Sequence, residues 1–196
     1  MLSDARQELL RVLMEKGLRR LPEPVQLASG DWSRDFIDGK EALAAWLDLE
    51  LAGRAAVETV HEAGITFDAV GGLELGACAF AISAAAAASC RWFFVRKQPK
   101  DRGTRRGVEG AQVGAGDRVL LVDDVVTTGG SIFKAYDQVI ETGASVVAAV
   151  TLVDRGDVAA PKFIELGVPY FPLTTYAMLR IDPVGPRGTV ETVSAH

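Results

Sequence analysis

The chain has 196 residues, a formal net charge of −5 and 48% hydrophobic residues. That is enough for one α/β domain with a sizeable core, and the acidic balance argues against a surface built for nucleic acid or an anionic membrane. Cys78 and Cys90 lie in apolar, alanine-rich surroundings and read as free core thiols, and no signal core or bilayer-length apolar run is visible, so the chain reads as soluble and cytoplasmic.

Residues 3–16 place Leu9, Leu10, Leu13 and Met14 at helical spacing and end at Gly17, predicting an N-terminal helix. From there to about Lys40 the chain reads as irregular, with Pro22, Pro24, Gly30 and Gly39 between short extended pieces. Residues 41–63 predict one long amphipathic helix closed by Gly64. Strands are then expected at 67–70, 92–95, 118–122, 145–153 and 170–173. Helices are expected at 76–88, 130–142 (closed by Gly143) and 159–166, and residues 97–116 form a polar stretch without apolar periodicity. This alternation predicts an α/β fold with a mostly parallel central sheet flanked by helices. A single domain is expected over residues 1–196, with a small hood at about 18–40, a mobile lid at 97–116 and a frayed tail at 182–196.

Residues 119–131, Val-Leu-Leu-Val-Asp-Asp-Val-Val-Thr-Thr-Gly-Gly-Ser, carry the most chemistry. Four apolar residues make a buried strand, two carboxylates stand at its C-terminal end, and a Thr/Gly/Ser turn opens the next helix. In open α/β sheets ligands bind at that end. Glycines let backbone amides converge on an anion, hydroxyls add donors, and the helix points its positive end at the charge. Asp123 and Asp124 only accept, which suits sugar hydroxyls or hydrated Mg²⁺. The ligand implied carries both hydroxyls and phosphate. Helix capping would account for one acid but not for the Thr-Thr-Gly-Gly-Ser run. A P-loop NTPase would need a G-x-x-x-x-G-K-[ST] loop, which the chain lacks, and a phospho-acceptor receiver domain would want acids after its first strand.

Two further segments fall on the same sheet edge. Residues 69–77, Ala-Val-Gly-Gly-Leu-Glu-Leu-Gly-Ala, put a glycine-rich turn between a strand and a helix, where amides can approach phosphate; a plain tight turn would read the same way. The stretch 97–116 is too long for an ordinary connection. It follows a strand and opens with Arg96, Lys97, Lys100 and Arg102, cations able to neutralise a departing diphosphate while closure excludes water; the alternative is a solvated charge run.

Residues 119–131 resemble the motif with which type I phosphoribosyltransferases bind 5-phosphoribosyl 1-diphosphate (PRPP). Arg-Lys-x-x-Lys-x-x-Gly at 96–103, followed by Glu109 and Gly110, resembles the catalytic loop of orotate phosphoribosyltransferases. The resemblance covers about residues 20–175. It implies a phosphoribosyltransferase fold, Mg²⁺ as cofactor, PRPP and a nucleobase (orotate first) as substrates, and a homodimer whose lids reach the neighbouring site. Residue by residue, it implies Asp123 and Asp124 as catalytic and metal-binding groups, and Lys100 and Arg102 as catalytic cations of the lid. On PRPP it implies Arg96, Lys97, Leu73, Glu74, Leu75 and Gly76 at one end, with Val125, Val126, Thr127, Thr128, Gly129, Gly130 and Ser131 at the other. Phe36, Thr127 and Arg155 would face the base, although Arg155 fits equally as a surface residue opening a helix.

The chain also departs from that pattern. Arg102 stands where the family usually has His, which keeps a charge but cannot shuttle a proton near neutral pH. Leu75 stands where some members carry Lys. In the hood, Ala28, Arg34 and Asp35 replace a Lys, a Pro and an aromatic residue. These departures keep open a different base, or a PRPP-sensing regulator without turnover. Neither His61 nor His196 has a role in the scheme.

Overall fold

The computed structural model describes residues 2–26, 32–98, 107–156 and 158–181. In chain order the elements are α1 (Asp4–Val12), β1 (Leu18–Gln26), β2 (Trp32–Ile37), α2 (Gly39–Ala42), α3 (Trp46–Glu62), β3 (Ala69–Leu73), α4 (Cys78–Ala87), β4 (Arg91–Val95), β5 (Val108–Gly110), β6 (Arg118–Val126), α5 (Gly130–Glu141), β7 (Ser145–Asp154), α6 (Ala159–Glu165) and β8 (Tyr170–Thr175).

Six strands form the central sheet in the order β5–β4–β3–β6–β7–β8, parallel throughout except for β5. The inner strands β3, β6 and β7 are buried on both faces, which is why they read as nearly unbroken apolar runs rather than alternating ones. One core packs α1, α3 and α4 against the sheet through Leu9, Val60, Phe80, Leu120 and Leu152. The other packs α5 and α6 through Phe93, Leu121, Ile132, Val139 and Phe163. From β3 the chain crosses through α4 to β4 on one flank, and after β5 it returns to β6 on the other flank of β3. The switch point between β3 and β6 is where such a sheet opens a ligand crevice.

Five expectations from the sequence are corrected. The stretch before Lys40 is not irregular: β1 and β2 pair antiparallel as a separate two-stranded sheet, with a register irregularity between Arg20 and Val25 that absorbs the prolines. The helix expected over 41–63 is two helices. Asp38 caps α2 by accepting from the Lys40 and Glu41 amides, Ala45 is extended (ψ 138°), and α3 restarts at Trp46. No glycine or proline marks that break; packing causes it. A Cβ on Gly17 would meet Ala42 at 2.9 Å, so α2 is seated on the chain leaving α1.

The expected lid is shorter than 97–116, because β5 returns to pair antiparallel with β4 at the sheet edge. Its stretch 99–106, with Lys100 and Arg102, lies outside the described residues, as do Ala28 of the hood and the tail 182–196. Finally, β6 does not stop at Val122 but runs on through both aspartates to Val126, paired there with β7. Cys78 and Cys90 are unpaired and half-buried rather than in the core, and burial pushes both thiols up from their ordinary value. Among the described residues, no helix is long and apolar enough to cross a membrane.

Candidate active site

The crevice opens because β3 and β6 approach closely and then part. Their pairing covers Ala69–Val119, Val70–Leu120 and Gly71–Leu121. A Cβ at Gly72 would sit 2.2 Å from the Val122 carbonyl oxygen, so only glycine permits this approach. Beyond it, β6 pairs with β7 alone, and one wall of the crevice becomes Asp123 and Asp124 while residues 73–76 form the other.

Asp123 is 4% exposed and accepts from the Asp124 amide at 3.0 Å. Burial first, and then the neighbouring Asp124 carboxylate, push its pKa up to about 8. Asp124 is more open. One of its oxygens accepts from the Val125 amide at 2.8 Å, and its carboxylate lies so close to Gly76 that a Cβ there would meet both oxygens at 2.6 Å. The other oxygen lies 3.4 Å from Lys40 Nζ, which is also 3.6 Å from Asp38. Against the penalty of partial burial, these two carboxylates hold the Lys40 ammonium above its ordinary pKa. Lys40 was not expected here. It reads in the sequence as an exposed residue of a helix start, and 84 positions separate it from Asp124. Gly39 makes the approach possible: a Cβ there would meet Leu152 at 3.1 Å and the Asp124 Cβ at 3.4 Å.

Past Val126 the chain turns through Thr127, Thr128 and Gly129 into α5. Gly129 adopts φ +77°, a left-handed conformation natural to glycine, and no side chain caps the helix. Thr128, Gly130 and Ser131 are exposed, so the first amides of a twelve-residue helix face outward beside the aspartates.

At the other end, Glu74 ties the 73–76 turn to the stem that leaves β4, its carboxylate accepting from the Lys97 amide at 2.9 Å. The Glu74–Leu75 peptide bond is cis, and Leu75 is exposed. Arg96, expected on the diphosphate, is engaged within the stem. It pairs with Glu109 at 3.5 Å, and its Nε donates to the Gln98 carbonyl at 3.3 Å. From α5, Gln138 donates to the Arg96 carbonyl and Lys134 to that of Lys97.

Thr127 and Arg155 are brought together. The Arg155 amide donates to Val126 O at 3.1 Å, and its guanidinium lies over the Tyr176 ring, 5.4 Å from the centroid. Asp154 fixes this turn: it is buried and accepts from the Gly156 amide at 2.9 Å and the Tyr170 hydroxyl at 2.8 Å. The hood reaches the same corner through Asp35, which is buried, holds Arg20 bidentately at 2.8 and 3.2 Å, and acts electrostatically on Tyr176. Phe36 does not join them. Strand alternation turns it to the face opposite Asp35 and Ile37, where it is exposed. His61 stacks on Phe67, away from these groups.

Among the described residues no three His, Cys, Asp or Glu side chains gather to hold a metal unaided. Two adjacent carboxylates at the crevice do fit Mg²⁺ of the kind that arrives on phosphate oxygens and keeps several waters.

Known proteins share this arrangement. The profile of the phosphoribosyl transferase domain matches residues 40–165. Orotate phosphoribosyltransferase of Pyrococcus furiosus is 38% identical over 168 residues, covering 86% of this chain and 91% of the relative. That of Methanocaldococcus jannaschii is 35% identical over 177 residues, covering 90% and 98%. The crystal structure of Mycobacterium tuberculosis orotate phosphoribosyltransferase in complex with PRPP superposes with a TM-score of 0.74 at 32% identity, covering 90% of this chain and 99% of that one. By its sheet order, its crevice and this likeness along nearly its whole length, the chain belongs to the type I phosphoribosyltransferase family, in the orotate phosphoribosyltransferase branch.

Proposed function

We propose that this protein transfers the phosphoribosyl group of PRPP to orotate, giving orotidine 5′-monophosphate and pyrophosphate. The observation that carries the reading is the crevice itself. An acidic pair, Asp123 buried and Asp124 partly open, stands between an uncapped helix N-terminus and a second, glycine-lined turn, in a chain 38% identical to an orotate enzyme. The outward amides and hydroxyls of residues 127–131 hold the 5′-phosphate. Asp123 and Asp124 accept from the ribose hydroxyls and favour the positive charge that develops on the ring. The C1–O bond to diphosphate breaks as a bond forms from C1 to the base nitrogen, whose proton is released. Asp123 and Asp124 would hold Mg²⁺ together with substrate oxygens, and the ion would supply charge neutralisation for the leaving group. Arg155, braced on Tyr176 beside Thr127, meets the orotate carboxylate. Lys97, Lys100 and Arg102 bring charge to the diphosphate, and Arg96 serves by bracing the stem through Glu109.

We also propose that the protein works as one domain in a two-fold homodimer with shared sites. In support, α4 is apolar all round, and its outward residues Ala79, Ile82 and Ala86 lie exposed near Trp46. A two-chain mass by light scattering is expected.

The test is a steady-state assay with PRPP and Mg²⁺ against orotate, uracil, adenine, guanine, hypoxanthine and xanthine. Orotate should exceed the others in kcat/KM by at least about a hundredfold, because a site that pairs a carboxylate rejects bases lacking one. Preference for another base, or binding without turnover, would overturn the assignment.

A further inference from the structure

The 73–76 turn carries no cation, and its one carboxylate, Glu74, is committed to the Lys97 amide. Yet a hollow of about 360 Å³ opens beside it, lined together by Leu75, Gly76, Asp124 and Lys40. Lys40 is the one cation among the described residues lining it, and the rest of the wall, from Leu43 to Phe80, is mainly apolar. We propose that Lys40 is a substrate-binding residue, its ammonium bridging Asp124 and an oxygen of the diphosphate settled on the 73–76 turn.

Three observations carry this. The Lys40 backbone is fixed, since Asp38 caps α2 through the Lys40 and Glu41 amides and Gly39 packs on Leu152, so the side chain starts from a set position. Its ion pairs are loose: 3.4 Å to Asp124 and 3.6 Å to Asp38, with the lysine side chain 57% exposed. Such pairs exchange readily, and an ammonium with three donors can keep Asp124 while taking an anion. Finally, the Asp124 carboxylate that Lys40 touches is in contact with Gly76, so the ammonium stands at the rim of the turn. Apolar walls exclude water and strengthen a charge contact there.

The inference rests on the reading that the crevice binds PRPP. Calorimetric titration of wild type, Lys40→Gln and Lys40→Arg with PRPP, pyrophosphate and ribose 5-phosphate, at one Mg²⁺ concentration, tests it. Loss of one charge-assisted contact should weaken PRPP and pyrophosphate binding to Lys40→Gln by about tenfold to a hundredfold. Ribose 5-phosphate affinity should hold within about twofold, and Lys40→Arg should recover most of the loss. Unchanged PRPP affinity in Lys40→Gln, or a parallel loss of ribose 5-phosphate, would overturn the proposal, the latter showing that Lys40 only supports Asp124. Failure of the wild type to bind PRPP would instead remove the functional reading beneath it.

Discussion

At the α5 end of the crevice, the groups that would face a phosphate come from residues 127–131 alone: an uncapped helix start, a left-handed Gly129 and exposed hydroxyls. The opposite end, at residues 73–76, borrows from elsewhere. Lys40 comes from α2, the stem contacts come from Lys97 and Glu109, and Lys134 and Gln138 reach across from α5. The first end is backbone geometry and is formed as soon as the strand and helix form. The second depends on side chains from four segments and can change without disturbing the sheet. This division suits the chemistry, because the 5′-phosphate stays bound throughout while the diphosphate must leave.

The largest effect should come from the groups between the two ends. Replacing Asp123 and Asp124 together by Asn should lower kcat/KM by about a thousandfold or more, since each charge-assisted bond is worth about 1.5–3 kcal/mol. PRPP should then no longer raise the melting temperature. An undiminished thermal shift in the double variant would remove the acidic pair from the site.

A smaller effect sharpens the contrast directly. In Gly129→Ala a Cβ would meet the Phe133 ring at 2.5 Å at φ +77°, so the turn must distort. Stability should fall by about 1–3 kcal/mol. Ribose 5-phosphate and PRPP should weaken equally, because both use this end. A loss confined to PRPP would mean that the two ends are not independent.

The last test concerns stability without ligand. The folded pKa of Asp123, about 8, exceeds its value in an unfolded chain, so the folded protein keeps a proton that the unfolded chain has lost. This contribution is fully present below about pH 4 and is lost as pH rises toward 8. The melting temperature should fall as pH rises from 5 to 8, and Asp123→Asn should flatten the slope. An equal slope in the variant would place the titration elsewhere.

The unequal construction of the two ends also explains what could be read in advance. Residues 119–131 encode a buried strand, an acidic pair and a glycine turn into a helix within thirteen consecutive positions, and the structure realises them in that order. The alternating strands and helices beyond residue 66, β5 excepted, were legible for the same reason, since apolar periodicity and glycine stops act over a few residues. The hairpin of β1 and β2 escaped notice because its prolines mask the strand pattern, and its partner strand, not its composition, holds it extended.

By itself, then, the sequence determined the alternation of strands and helices in the central sheet, the buried runs of β6 and β7, and the glycine turn at residues 127–131, because each depends on interactions between near neighbours. Only the tertiary structure decided that β5 closes the sheet edge antiparallel to β4, that α2 and α3 part between Leu43 and Ala45, that Arg155 rests on Tyr176 beside Thr127, and that Lys40 faces Asp124. Each of these joins separate segments of the chain, for α2 through close packing at Gly17 and Gly39, and no local pattern records which distant surface a helix or strand will meet.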